Sequence, residues 1–266
     1  MYAPFPYIGR LYCLLIIGSL TLQSQDRQVT PPASPLAPAV QEYPPELLLS
    51  AGIGWGLQQG SFHSRCSQEF TYGRSTGWLV GISYSSPLLQ NWLWGASTWI
   101  NRLQLRASYR AREPFSIQAP SDTFLLPVET RNHAEITLTS LLLWGYLRWR
   151  PAPWLVASAG PAAIIPLSVT LRHDKALLSE SLSLPTGESI YLPATENFTV
   201  EEASIPSRLH WGGLFHIGAD VVITPNWWLS AGLYGLLHFS AVLPPPSTVR
   251  LWQGYLVFSL GKTWRK

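Results

Sequence analysis

The stretch WGGLFHIGADVVITPNWW, residues 211–228, decides the fold. Every second residue from Trp211 reads Trp, Gly, Phe, Ile, Ala, Val and Ile, ending at Ile223. The alternate set, from His210, reads His, Gly, Leu, His, Gly, Asp and Val. A period of two, with one greasy face and one small or polar face, marks a strand between unlike surroundings. Thr224-Pro225-Asn226 then makes a tight turn, since proline presets φ and asparagine tolerates the left-handed region. A second strand returns from Trp227 with Trp, Leu, Ala, Leu, Gly, Leu and Phe at alternate positions to Phe239. In a soluble barrel the greasy set turns inward and glycine and serine meet water. Small residues inside with Leu, Ile, Phe and Trp outside is the inverse, the arrangement lipid requires.

The rest of the chain repeats this hairpin. Leu47, Leu49, Ala51, Ile53, Trp55 and Leu57 alternate with Leu48, Ser50, Gly52, Gly54 and Gly56. A second strand sets Trp78, Val80, Ile82 and Tyr84 against Gly77, Leu79, Gly81, Ser83 and Ser85. A third begins at Asn91 with Trp92, Trp94, Ala96, Thr98 and Ile100 on one face. Trp99 falls on the other, so a bulge between Trp99 and Arg102 is expected. The fourth sets Ile136, Leu138, Ser140, Leu142, Trp144 and Tyr146 opposite Glu135, Thr137, Thr139 and Gly145. A fifth runs from Trp154 to Leu167, and the last presents Trp252, Leu256, Phe258, Leu260 and Trp264 against Gln253, Tyr255, Ser259 and Gly261.

Eight strands result, joined by alternating long and short connections. The long ones cover residues 58–75, 110–132, 168–208 and the segment holding Pro244, Pro245 and Pro246. The expected fold is all-β, an eight-stranded antiparallel up-and-down transmembrane β-barrel with long outside loops and short periplasmic turns. Most of the fifteen acidic residues fall in the long connections, and Asp220 alone lies within a span, on the inward face. Trp92, Trp94, Trp149, Trp154, Trp227, Trp228 and Trp264 cluster beside the short turns or the C-terminus, as an interfacial aromatic girdle would.

Composition bounds the remainder. Charged residues make up 12% of the chain, about half the usual share of a soluble domain, and the chain holds thirteen tryptophans. The net charge of +3 comes without a basic run, which excludes a nucleic-acid footprint. Arg10 followed by the apolar core LYCLLIIGSLTL, residues 11–22, reads as a signal peptide ending near Ser24. That core is shorter than the ~20 residues of a membrane-spanning helix. Residues 25–46 are proline-rich and read as an extended tether, which leaves 47–266 for the barrel. Export leaves Cys66 as a single thiol, with no intrachain disulfide possible.

The run LTSLLLWGYLRWRPAPWLVASAGPAAIIPL, residues 138–167, resembles the paired central strands of the small outer-membrane β-barrel family of Gram-negative envelopes. The strand bearing Ala159-Gly160-Pro161 carries the likeness, and YLVFSLGKTW, residues 255–264, is similar to that family's closing strand. Glu135-Ile136-Thr137 departs from the Glu-Ile-Pro-like motif of the family, and Trp264-Arg265-Lys266 replaces a terminal aromatic. The resemblance implies residence in the outer membrane among its lipids and engagement of the barrel-insertion machinery during biogenesis. It says little about activity.

An eight-stranded interior is filled by side chains, so a general porin is excluded. The expected function is structural, binding or accessory, exerted through the outside loops on a loop-bound ligand or an envelope-complex partner. A membrane-embedded enzyme of hydrolase or acyltransferase type is the alternative, and a soluble lipocalin-like barrel a further one. The enzyme case rests on the lumen-facing polar residues His216, Asp220, His238, Ser240 and Tyr255. Pairing 214 with 238 across the Pro225-Asn226 turn makes His216 and His238 diagonal neighbours, whereas Asp220 lies too far along the strand to complete a triad with Ser240 and His238. Two imidazoles without a third ligand make a weak metal site. A hydrogen-bonded plug is therefore expected, with no catalytic residue, cofactor or metal. Asn197-Phe198-Thr199 matches a glycosylation sequon to which no function is attached.

Overall fold

The computed structural model describes residues 44–64, 69–118, 123–179, 181–183, 187, 189–191, 197–206 and 208–264. The signal segment, the tether up to residue 43 and Cys66 lie outside the described residues. Eight long strands follow in order: β1 (Glu46–Gln59), β2 (Gly73–Leu89), β3 (Trp92–Gln118), β4 (Thr123–Ala152), β5 (Leu155–Leu177), β6 (His210–Thr224), β7 (Trp227–His238) and β8 (Arg250–Thr263). Each pairs antiparallel with its neighbour in sequence, and β8 returns to β1 from Glu46↔Thr263 to Gln59↔Arg250. The ring closes and leaves no free edge within it. Up-and-down order follows from the short turns at Asn91, Pro153 and Pro225-Asn226, which can join only antiparallel neighbours.

The strands are unequal, and the inequality has a chemical boundary. Across β2, β3, β4 and β5 the row Val80–Ile100–Leu141–Ile165 faces outward and is wholly apolar. The outward row two residues higher is Trp78–Arg102–Thr139–Ser168, then Thr76–Gln104–Thr137–Thr170, then Arg74–Arg106–Glu135–Arg172. The inside is mixed below the boundary, where serines and charges join an aromatic cluster, and apolar above it. Below the boundary β1 and β2 turn Ser50, Ser83 and Ser85 inward, while above it β3 and β4 bury Leu103, Leu105, Ile136 and Leu138. One ring thus presents an apolar outer face to lipid below Arg102 and a polar one above it. Beyond the boundary β3 and β4 continue as a hairpin to Gln118 and Thr123, flanked by β5 and by an added strand, Asn197–Ser204, paired to β5. This projecting wall replaces most of two connections that the sequence suggested as loops.

Three expectations are corrected. β3 pairs with β4 without a register shift from Trp92 to Gln118, so no bulge occurs between Trp99 and Arg102; Trp99 is a buried lumen residue. The phase of β4 is the reverse of that in β1: Trp144 and Tyr146 fill the lumen, while Leu141, Leu143, Leu147 and Trp149 face out. Glu46 does not belong to the tether but opens β1 with its side chain fully buried.

Gly160 marks the tightest approach in the wall of the barrel. A Cβ built there would lie 1.9 Å from the Gly145 carbonyl oxygen, and the direct pairing of β4 with β5 lapses around this point. Because the obstacle is backbone, G160A must push two strands apart. A loss of about 1–3 kcal/mol is expected, read as a lower urea midpoint of the heat-modifiable form. G145A, where a Cβ would meet open space, is the silent control.

Candidate functional site

The lumen is filled at three levels. At the short-turn end, Glu46 of β1, Arg148 and Arg150 of β4 and Asp220 of β6 converge from three strands. Arg148 Nη1 donates to Glu46 Oε1 at 2.5 Å, and Arg150 Nη2 donates to Glu46 Oε2 and Asp220 Oδ2, each at 2.9 Å. Arg148 Nη2 stands 3.6 Å from Asp220 Oδ2. Trp228 lies under both guanidiniums, at 5.2 and 5.3 Å from its ring. Two cations and two anions balance, and all four side chains are at most 8% exposed. Charges this deep persist only when paired and hydrogen-bonded.

The middle level is aromatic. Trp99 packs on Trp144 and Tyr234 at 5.7 and 5.1 Å, and Trp144 on Tyr146 at 4.3 Å. His216 stacks on Tyr234 at 4.1 Å. Tyr146 Oη pairs with Ser85 Oγ at 2.8 Å, and Tyr255 Oη donates to Asn101 Oδ1 at 3.2 Å.

His216, Asp220, His238 and Tyr255 all point into the lumen and are buried. Ser240 does not; it lies past β7 in a bend, where its Oγ accepts the Trp211 N–H at 3.0 Å. The register also differs from the expected one. A shift between Val222 and Thr224 places His238 opposite Gly212 and His216 opposite Tyr234. The two histidines are four residues apart along the sheet, about 13 Å, and cannot share a metal or a proton. Asp220 is committed to Arg150 rather than to a histidine. The triad geometry is absent from these residues, and among the described residues no group of three or more His, Cys, Asp or Glu gathers as metal ligands would. Of the tryptophans at the short-turn end, Trp92, Trp94, Trp149, Trp154, Trp227 and Trp264 face outward. Trp228 is the correction: it turns inward, 5% exposed, to cover the arginines.

The sequence reading missed Arg148 and Arg150. The signal was present, because continuing the Leu142–Trp144–Tyr146 face of β4 reaches both arginines. An arginine pair on that face can only be luminal if the opposite face meets lipid.

The upper level is an apolar cap. Phe62 and Phe70, on the short strands Phe62–His63 and Glu69–Phe70, stack at 4.9 Å and are buried with Val242, Leu243 and Val249. Gln58 Nε2 ties the cap down by donating to the carbonyls of Gly60 and Phe70 at 2.9 and 2.6 Å. Beside it runs a polar relay. His173 Nε2 donates to Asn132 Oδ1 at 3.0 Å, while His173 Nδ1 accepts the Ser64 hydroxyl at 2.6 Å, which fixes the neutral tautomer. Asn132 Nδ2 donates to Glu113 Oε1 at 3.2 Å, and Glu113 pairs with Lys175.

This relay is built for neutral pH. Burial, aided by the Lys175 charge, holds His173 below its ordinary value of 6.5. Burial raises Glu113, but hydrogen bonding and charge from Lys175, with Asn132 and Thr130, outweigh it and hold the carboxyl below 4.5. Both groups bind protons more readily when the wall is open, so its stability falls as pH drops from about 6.5 through their folded values. Amides of residues 108–113 and 130–135 are expected to exchange faster at pH 5 than at pH 7.5 after correction for intrinsic rates. H173Q should remove the part of that difference arising above pH 5.

No family model matches the chain, and no curated relative does. Among solved structures, Neisserial surface protein A is 13% identical with a TM-score of 0.36, covering 82% of this chain and 97% of its own. Ail, the attachment invasion locus protein of Yersinia pestis, is 11% identical with a TM-score of 0.35, over 82% and 99%. The outer membrane protein OprG from Pseudomonas aeruginosa is 9% identical with a TM-score of 0.39, over 84% and 98%. These likenesses concern architecture and transfer no ligand or activity. The closed ring and its outward apolar band define the class on their own: the chain is an eight-stranded β-barrel of the outer-membrane type.

Proposed function

We propose that the protein is exported through its N-terminal signal, inserts in the outer membrane, and works as a binding or accessory barrel through its projecting wall. One observation carries the reading: the lumen is packed by charge, aromatic and apolar layers, while β3, β4 and β5 rise above the apolar band with charged outer faces. A packed lumen supplies neither a diffusion path nor an open active site. A long polar sheet on a rigid ring supplies area for recognition. In this reading the closing strand β8 meets the insertion machinery, and an envelope partner or surface ligand meets the wall.

Two variants test it in a deletion strain: one with the segment after Val169 cut to a tight turn, and one carrying H216N and H238N. The shortened protein is expected to insert and keep heat-modifiable mobility yet fail to restore the deletion phenotype. The histidine variant should restore it. Restoration by the shortened protein, with loss in the folded histidine variant, refutes the wall as the working surface.

A further inference from the structure

The outward face at the chemical boundary has a charge pattern that the fold alone does not explain. Arg74 of β2 and Arg106 of β3 are direct register partners, and both side chains face outward. Like charges placed opposite each other across a sheet destabilise it. Arg102 projects from β3 one outward row below the Thr76–Gln104 pair, beside Trp78 and Thr139. It is exposed and makes no hydrogen bond or ion pair among the described residues. Beside Arg102 lies a groove of about 320 Å³ lined by Thr76, Gly77, Trp78, Arg102, Gln104 and Thr137, and the Arg74–Arg106 pair stands one outward row above its Thr76–Gln104 pair.

Neighbouring groups do not neutralise this cluster. Glu135 accepts from Arg106 Nε at 3.3 Å and from Gln104 Nε2, and Arg74 Nε donates to the Tyr72 hydroxyl at 3.1 Å. Arg172, at the end of the same row, is turned to Asp174 at 3.0 Å. Arg102 and Arg74 therefore keep their charge without a carboxylate, and only Arg106 is partly answered. Directly beneath them the surface becomes the apolar row Val80–Ile100–Leu141–Ile165.

We propose that this groove is a binding site for the phosphorylated headgroup of an outer-leaflet lipid. The arginines are the donors for its phosphate, and the apolar row below takes its acyl chain. Charge complementarity and height point to the same occupant. A guanidinium donates to phosphate through paired N–H groups, and Thr76, Gln104 and Thr137 offer further donors around the centre. A soluble anion would use the arginines but leave the adjoining apolar row unexplained. Trp78, paired with Arg102, sits at the level where an amphipathic ring is favoured. An occupying phosphate also relieves the Arg74–Arg106 repulsion, so the lipid would stabilise this side of the ring. The site lies on the barrel's flank and does not depend on what the wall binds.

The full chain, purified in a neutral detergent, is titrated by native mass spectrometry with dilauroyl phosphatidic acid, dilauroylglycerol and inorganic phosphate. Phosphatidic acid is expected to be retained, and dilauroylglycerol and inorganic phosphate to be retained at least about tenfold less well. R102Q and, separately, R74Q should each weaken phosphatidic acid by about tenfold while keeping heat-modifiable mobility. R250Q, at an exposed position on β8, should not. Equal retention of dilauroylglycerol would show a general lipid annulus and overturn the site. Equal binding of inorganic phosphate would make it a free-anion site, and unchanged affinity in folded R102Q and R74Q would overturn it directly.

Discussion

Replacing Glu46 with glutamine is expected to cost the barrel about 3–5 kcal/mol, the largest single-residue effect at the short-turn end. The Glu46 carboxylate is fully buried and bridges Arg148 and Arg150, one oxygen to each. Removing its charge leaves two guanidiniums facing Asp220 alone, in a place water cannot reach. Breaking one partner of a buried pair costs far more than the pair contributes when intact, because the orphaned charge keeps its desolvation penalty. The urea midpoint of the protein in lipid vesicles measures this. Pairing E46Q with R150Q restores the balance, so the double variant should lose less than the two single losses added together. If E46Q unfolds within about 1 kcal/mol of the natural chain, the four charges are hydrated and do not form a closed plug.

F70A should cost about 3–5 kcal/mol, but the loss should stay local. Phe70 is 2% exposed, stacks on Phe62 and meets Tyr109 and His173 edge-on, so truncation opens a cavity where cap and wall meet. The ring below is closed by its own strand pairs and does not depend on this contact. Limited proteolysis in lipid vesicles should therefore cut residues 61–72 faster in F70A, while the membrane-embedded core keeps its protection and mobility. Collapse of the whole barrel would mean that the cap is part of the ring's folding unit.

The eight strands and their up-and-down order were legible because the period of two survives wherever the two faces differ in kind. In β1, β2, β6 and β7 Gly and Ser recur on the inward face, while Leu, Ile, Phe and Trp predominate on the outward one. β4 defeated that test. Leu141 and Leu143 meet lipid while Leu142 and Trp144 fill the lumen, so both faces are apolar and alternation carries no phase. The phase error hid Arg148 and Arg150, and with them the partners of Asp220. Glu46 was hidden differently. It follows Pro44 and Pro45, and composition drew the tether one residue too far. The His216–His238 spacing failed because a register shift inside the turn, between Val222 and Thr224, has no signature in residue type. The wall read as loops because its outward face is polar above Arg102. Between residues 110 and 132 its inward face also carries Glu113, Thr130 and Asn132, so no apolar period marked the strands there.

One closed ring faces lipid below Arg102 with an apolar outer face. A nitroxide scan along β1 tests it most directly, in a background where Cys66 is replaced by serine. Single cysteines at Leu49, Ser50, Ala51 and Ile53 are spin-labelled in lipid vesicles, and collision with dissolved oxygen is compared with collision with a water-soluble nickel chelate. High oxygen and low nickel access is expected at the outward sites Leu49, Ala51 and Ile53. At Ser50, which is buried and hydrogen-bonded to Ser259 at 2.8 Å, both accesses should be low. Nickel access at Leu49, Ala51 and Ile53 equal to that of an exposed soluble site would contradict it.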